Sequence, residues 1–303
     1  MTQPSIFIDG EYGTTGLGIR QRLEKLPITL QSIPVEQRHD KAARLAMMQA
    51  VDLVVLCLPD TASKEAVAMI QALDQQTPKV LDASTAFRVN DQWVYGFPEL
   101  EADQTQKIAS ARYVANPGCY ASGAIALLHP LVKSGLIPSD FLLSINAISG
   151  YTGGGKQMIA AYEKQEAPAF ELYGLTLNHK HLPEITKYSG LSRAPIFVPS
   201  VGNFPQGMIV SIPIHLSMLP HSIKASNLLT CLMDHYRNSA NVKVVTEETS
   251  RLSAEELALT DKMILRIHQN QQEDQVVLTA MLDNLGKGAS GSAIQNIRLM
   301  LNL

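Results

Sequence analysis

The sequence predicts an α/β protein with two domains: a Rossmann-type nucleotide-binding domain and a second domain of α+β type. Three observations point there. Apolar strand-like runs alternate with helical stretches over the first 82 residues. A glycine-spaced turn, Gly10-Glu11-Tyr12-Gly13-Thr14-Thr15-Gly16, follows the first strand. A cysteine stands in Asn116-Pro117-Gly118-Cys119-Tyr120, just ahead of a helical stretch, and beyond it the strands become longer and helices fewer.

Taken in order, residues 5–9 (Ser5-Ile6-Phe7-Ile8-Asp9) read as a short apolar strand and 16–26 as a helix, with Leu17, Arg20 and Leu23 among its positions. Residues 29–34 predict a second strand, 41–50 a helix, and 52–58 a strand buried on both faces, because its apolar run is continuous. Residues 63–73 are helical and 79–82 form another strand; this alternation gives parallel strands joined by right-handed crossovers. After Cys119 come a helix at 121–135, a strand at 141–149, a glycine-rich loop at 150–156 and a helix at 157–165. Strands at 196–200 and 207–216, a helix at 223–236, and strands at 242–245, 263–269 and 276–282 follow, then an amphipathic helix at 289–301. The expected division is 1–117 for the nucleotide domain, 118–285 for the second domain, and 286–303 for a C-terminal helix that returns to the first.

Composition limits the function. Hydrophobic residues make up 46% of the 303 positions, enough for a substantial core, and the net charge of −3 supplies no basic field for nucleic acid or an anionic membrane. No apolar run reaches the roughly 18 residues of a membrane span. Residues 1–9 lack a basic leader and cleavage site, so a cytoplasmic protein is expected. Cys57, Cys119 and Cys231 are too few and too scattered for a disulfide framework or a structural zinc, and no metal is expected.

The glycines at 10, 13 and 16 suit a backbone that turns tightly and brings amides close to a pyrophosphate. The end of the second strand, Ser32-Ile33-Pro34-Val35, carries no acid to bond a ribose 2′-hydroxyl, while Arg38, His39 and Lys41 follow, which favours NADP with Arg38 on its 2′-phosphate. Cys119 precedes a helix, where free amides and the positive end of the dipole favour a thiolate, and is read as a nucleophile; Cys57 and Cys231 lie in apolar contexts and read as packing. His179-Lys180-His181-Leu182-Pro183-Glu184 offers two imidazoles as acid/base partners, alternating sides if extended. The loop Gly150-Tyr151-Thr152-Gly153-Gly154-Gly155-Lys156 could hold a substrate anion, and Asp82-Ala83-Ser84-Thr85-Ala86-Phe87-Arg88 leaves a strand where such sheets bind ligands, with Arg88 able to pair with a carboxylate or phosphate.

Together these segments, with Trp93-Val94-Tyr95-Gly96-Phe97-Pro98-Glu99-Leu100 and Asp283-Asn284-Leu285-Gly286-Lys287-Gly288-Ala289, resemble the N-acetyl-γ-glutamyl-phosphate reductases of arginine biosynthesis, in their shorter (type 2) form. The likeness runs from the first strand to the last helix; Tyr12 stands where a small residue is common and Phe87 where a histidine often appears. The resemblance implies a fold like that of aspartate-semialdehyde dehydrogenase, a catalytic and oligomerisation role for the second domain, and a homo-oligomer (dimer or tetramer). It implies NADPH/NADP+ as cofactor, with Thr14, Thr15, Gly16 and Leu17 near the pyrophosphate, Asn284 near the nicotinamide end, and Gly10, Gly13 and Ser84 also on the cofactor side. It carries the nucleophile onto Cys119 and the acid/base role onto the His179/His181 pair, His181 being favoured, with Arg88, Asn116, Gly150 and Lys156 toward the acyl-phosphate substrate. Related reductases of aspartyl phosphate or a carrier-linked aminoadipyl phosphate, and a non-catalytic NADP-sensing protein, are the alternatives; neither nucleic acid nor membrane is expected as a partner.

Overall fold

The computed structural model describes residues 3–73 and 77–303 of the chain. It divides into two units, Met1–Pro117 with Ala289–Leu303, and Gly118–Gly288. The first unit runs β1 (Ser5–Asp9), α1 (Thr14–Leu23), β2 (Thr29–Gln31), α2 (Lys41–Gln49), β3 (Leu53–Leu56), α3 (Asp60–Gln71), β4 (Lys79–Asp82), β5 (Val94–Tyr95), α4 (Gln104–Ser110) and β6 (Tyr113–Ala115). The second runs α5 (Cys119–Lys133), β7 (Ser144–Gly150), α6 (Gly155–Glu163), β8 (Phe170–Leu172), α7 (Leu182–Ser189), β9 (Ile196–Gly202), β10 (Met208–His215), α8 (Ala225–Tyr236), β11 (Val242–Val244), β12 (Met263–Gln269) and β13 (Gln275–Leu282). A π-helical turn, Gly286–Ser290, leads into α9 (Gly291–Leu301), which belongs to the first unit.

The first unit holds an all-parallel six-stranded sheet, ordered β2-β1-β3-β4-β6-β5. Its strands read as continuous apolar runs because both faces are covered. The period of two sends Ile6, Ile8, Leu53, Val55, Leu81 and Val114 to one face, where they meet Ile19 and Leu23 of α1, Ile108 of α4, and Ala293, Ile297 and Met300 of α9. Phe7, Val54, Leu56, Val80 and Ala115 face the other way, onto Met48 of α2 and Ala66, Val67 and Ile70 of α3. The doubly wound architecture predicted from the alternation is the one found.

The second unit holds a mixed seven-stranded sheet, ordered β11-β12-β13-β10-β7-β9-β8. Register places Leu265, Ala280, Val210, Ala147 and Pro199 in one row on the face that α5 packs against; Gly123 of α5 lies directly over Val210 and Ala280. The adjacent row on the opposite face, Ile264, Met281, Ile209 and Ile148, is also apolar, and that face stays partly exposed at Ile209, Pro213, Val277 and Ile196.

Several element boundaries differ from the sequence expectation. The helix read at 16–26 begins at Thr14 and ends at Leu23, and the strand read at 52–58 is confined to Leu53–Leu56. The helix read at 63–73 starts at Asp60, directly after Pro59, whose fixed φ suits a helix entry. The return to the first unit falls after Gly288 rather than at 285, across the π-helical turn. The expectation for residues 1 and 2 lies outside the described residues.

Helix α5 is apolar all round and buried along nearly its whole length, as a central core helix must be. Pro130 inside it removes the amide that would bond Ala126 O, and the Tyr236 hydroxyl of α8 donates to that carbonyl at 2.8 Å instead. Tyr236→Phe should therefore leave a buried carbonyl unsatisfied and lower stability by about 1–3 kcal/mol, read as a drop in the urea midpoint.

Candidate active site

Two groups of candidate site residues stand out, one in each unit. In the first, the turn between β1 and α1 forms an anion cradle. Gly10 has φ +90°, which L-residues rarely adopt, and a side chain there would run into the Cys57 carbonyl. A Cβ on Gly16 would come within 2.5 Å of Gly10 O, so α1 can approach the turn this closely only with glycine. At Gly13, by contrast, a Cβ would meet nothing nearer than Gly10 O at 3.5 Å, which leaves room in front of the turn. Thr14, Thr15 and Gly16 form the first turn of α1, whose amides have no intrahelical acceptor. The Leu17 amide is bonded to Gly13 O at 2.9 Å, within the helix. Open space, glycine-lined backbone and unpaired helix-start amides fit the pyrophosphate of a dinucleotide.

Around this turn, carboxylates are matched by arginines. Asp9, at the end of β1, accepts from Arg44 Nε at 3.0 Å and Nη2 at 2.6 Å; burial raises its carboxyl, and Arg44 pulls it back down. Glu11 pairs with Arg20 of α1, and Ser32, directly after β2, donates to Glu11 Oε2 at 3.0 Å. Arg38 lies apart from this cluster, exposed, with its Nε 3.2 Å from His39 Nε2.

The loop after β4 is built by its own side chains. Ser84 Oγ donates to Asp82 Oδ2 at 2.6 Å and accepts the Ala86 amide at 3.1 Å, so the hydroxyl expected on the cofactor side shapes the loop. Thr85 N donates to Asp60 Oδ1 at 2.9 Å. Arg88 is buried, and its Nε donates to Asn116 O at 2.9 Å. The Asn116 side chain donates to Ala289 O at 3.1 Å and accepts from Asn296 Nδ2 at 3.0 Å, while Asn296 also donates to Gly96 O. Arg88 and Asn116, expected as substrate contacts, thus hold the strand end that leads to Pro117.

In the second unit, Cys119 is the first residue of α5 and is partly exposed. Gly118, the N-cap, donates its amide to Glu184 Oε2 at 3.1 Å; Glu184 lies in the first turn of α7 and is almost wholly buried. On another side the backbone passes so near that a Cβ on Gly288 would stand 2.8 Å from Cys119 Cβ.

An aromatic cluster adjoins the thiol. Tyr120 OH donates to Ser200 O at 2.8 Å, and Tyr173 OH donates to Tyr120 OH at 3.2 Å. Burial, with Cys119 as a negative neighbour, pushes Tyr173 up to about 12 and raises Tyr120 well above its ordinary value, so both hydroxyls stay protonated. The His179 and His181 rings meet edge to face at 4.7 Å, and each ring lies 5.9 Å from Tyr120. His179 Nδ1 accepts the His181 amide at 3.1 Å, so a neutral His179 carries its hydrogen on Nε2 and is a donor there. His181 is buried and caps the start of α7.

The glycine loop is stapled in place. Gly150 N donates to Gly207 O at 2.9 Å and Thr152 Oγ1 donates to Pro205 O at 2.5 Å. Asn284 joins the two segments, accepting the Gly207 amide at 2.9 Å and donating to Thr152 Oγ1 at 2.9 Å. Asn284, expected near the nicotinamide, uses both ends of its amide for this. Lys156 is exposed in the first turn of α6. Cys57 is a packing residue in the first unit, its thiol pushed up by burial and by Asp82 and Asp9. No group of three or more His, Cys, Asp or Glu suited to a metal occurs among the described residues. No described helix is long and apolar enough to cross a membrane.

Sequence reasoning singled out Cys119, both histidines and the glycine turn. It did not assign Glu184, Tyr120, Tyr173, Gly288, Asn296 or the Glu11–Arg20 pair. Glu184 was visible three residues after His181, but its reach to the Gly118 amide spans 66 residues of sequence.

Comparison with known proteins gives a consistent picture. Residues 19–108 match the family described as Semialdehyde dehydrogenase, NAD binding domain, and residues 119–284 match Semialdehyde dehydrogenase, dimerisation domain. The chain is 50% identical over 309 residues to the N-acetyl-gamma-glutamyl-phosphate reductase of Brucella ovis, covering 99% of each chain. It is 50% identical over 310 residues to that of Rhizobium rhizogenes, again covering 99% of each. Among solved structures, aspartate semialdehyde dehydrogenase II from Vibrio cholerae, complexed with ASA, aligns with a TM-score of 0.72 at 14% identity over 100% of this chain and 99% of that one, a likeness of fold.

The Glu184 contact makes a direct prediction. Glu184→Leu should orphan the Gly118 amide and cost about 1–3 kcal/mol in urea unfolding, whereas Glu184→Gln, which keeps an acceptor oxygen, should lose less than half of that.

Proposed function

Because this chain belongs to the N-acetyl-γ-glutamyl-phosphate reductase family, we propose that it reduces N-acetyl-L-glutamyl 5-phosphate to N-acetyl-L-glutamate 5-semialdehyde with release of phosphate, using NADPH and a thioester on Cys119. The observation that carries the chemistry is the thiol at the first position of α5, with an imidazole pair in the adjoining aromatic cluster.

The Cys119 thiolate attacks the acyl carbon, favoured at that place by the positive end of the α5 dipole. The bond from that carbon to the phosphate oxygen breaks, phosphate leaves, and the acyl group stays on sulfur. The Gly10–Gly16 turn and the first amides of α1 would hold NADPH, which would supply the hydride that reduces this carbon. The first-turn amides of α5 stabilise the oxyanion. His181 protonates that oxygen and takes the proton back as the C–S bond breaks, which frees the semialdehyde and restores the thiolate. His179 is the wrong tautomer for a base at Nε2 and acts as a hydrogen-bond donor. Lys156, exposed in the first turn of α6, is the cation we assign to the substrate's anionic groups.

The partly exposed apolar face of the seven-stranded sheet supports a homo-oligomer, as does the match to a dimerisation domain.

The reverse reaction gives a clean assay: oxidation of N-acetylglutamate semialdehyde that requires both NADP+ and inorganic phosphate. Absence of phosphate dependence sinks the acyl-phosphate reading, and a faster rate with aspartate semialdehyde moves the substrate assignment. Cys119→Ser should lower kcat by on the order of 10³-fold or more while nucleotide affinity stays within about threefold. His181→Asn should lower kcat by about 10²- to 10⁴-fold, whereas His179→Asn should act mainly on KM; the reverse pattern would exchange their roles.

A further inference from the structure

We infer that Arg20, seated on Glu11 and Ser32, takes the 2′-phosphate of the dinucleotide and so sets a preference for NADP over NAD, an inference that rests on the cofactor reading above. In a doubly wound sheet, the residue at the end of the second strand stands beside the adenosine ribose. Here β2 ends at Gln31, and the next residue is Ser32. Its hydroxyl accepts from Arg20 Nη1 at 2.9 Å and donates to Glu11 Oε2 at 3.0 Å. The position that would carry a carboxylate in an NAD-binding protein carries a hydroxyl and a guanidinium instead.

Two features tie the charge of Arg20 to this place. Glu11 is almost wholly buried and pairs with Nη1, so the guanidinium is oriented by a fixed anion. Glu24, one helical turn on, lies 3.7 Å from Nε. Yet the Arg20 side chain is still 37% exposed, and its planar fork has five N–H donors, so it can serve Glu11, Ser32 and a phosphate together. Arg38 has no such seat: it follows a short 3₁₀ turn and points its Nε at His39. The pair also sets the sign of the selectivity. Without Arg20, the Glu11 carboxylate beside Ser32 would face the ribose alone, which suits a 2′-hydroxyl and repels a 2′-phosphate.

Titration calorimetry of the full chain with NADP+ and with NAD+ tests this independently of turnover. Wild type should bind NADP+ more tightly. Arg20→Ala should weaken NADP+ binding by about ten- to a hundredfold, the value of a charge-assisted contact, and leave NAD+ binding unchanged or tighter. Arg20→Lys keeps a cation for Glu11, guards against misfolding of the alanine variant, and should lose NADP+ affinity severalfold. If wild type prefers NAD+, both this inference and the cofactor reading fall. If wild type prefers NADP+ but Arg20→Ala and Arg20→Lys weaken both nucleotides equally, or if only Arg38→Ala is selective, the cofactor reading stands and this inference falls.

Discussion

The start of helix α5 is the fixed point of the second unit. Its body is buried against β10 and β13, so the helix cannot slide without opening the core. Its first residues are then held from several sides: the Gly118 amide by Glu184, the Cys119 backbone by the close pass of Gly288, and the Tyr120 hydroxyl by Ser200. A nucleophile has to meet one carbon within a few tenths of an ångström, and a thiol on a mobile loop could not do so reproducibly. A thiol at the first position of a buried core helix has the rigidity that the proposed attack requires.

A carboxyl group buried against the N-cap amide looks costly, since burial takes it out of water. The compensation is directional. The amide of an N-cap residue can be satisfied by the side chain three residues on, but that position is Ala121, which has no acceptor to offer. Glu184 supplies that acceptor from another helix, and in doing so ties α7, which carries His181 at its own N-cap, to the helix that carries Cys119. One hydrogen bond therefore joins the helix start that carries Cys119 to the one that carries His181.

The fold was legible because each unit repeats a simple period. Runs at 5–9, 52–58 and 79–82 read as strands, the second as one buried on both faces, and the sheet found contains all three. Some short elements were not legible, although β2 and β11, of three residues each, lie within strands read from the sequence. β5 has two residues and β6 three, too few for any periodicity to show, and α7 is hidden behind the polar His-Lys-His segment and a proline. In the site, residue types with intrinsic chemistry stood out, whereas amide and hydroxyl side chains were ambiguous. Asn116, Ser84 and Asn284 all lie in glycine-rich or turn segments that invite a ligand, yet each holds backbone in place. A buried polar group must find partners, and in a loop the nearest partners are other loops. Arg20 shows the opposite case. It looked like an ordinary helical surface residue, and only the pairing of β1 with β2 brings Ser32 to it.

Acidic groups at the strand ends of the first unit pose an electrostatic problem for a site that must accept a polyanion. Asp9 ends β1, Asp82 ends β4, and Glu11 lies in the turn itself. Each is offset locally. Arg44 forks onto Asp9, Arg20 pairs with Glu11, and at Asp82 burial raises the carboxyl while Ser84 Oγ donates to its Oδ2 at 2.6 Å. The acids thus order the loops through their hydrogen bonds without presenting a bare negative field, and the arginines that balance them lie on α1 and α2, the two helices that flank the turn. Neutralisation by arginine rather than by protonation has one further effect: a planar cation keeps donors to spare after its carboxylate is satisfied, so the same groups that cancel the acids remain able to recognise phosphate.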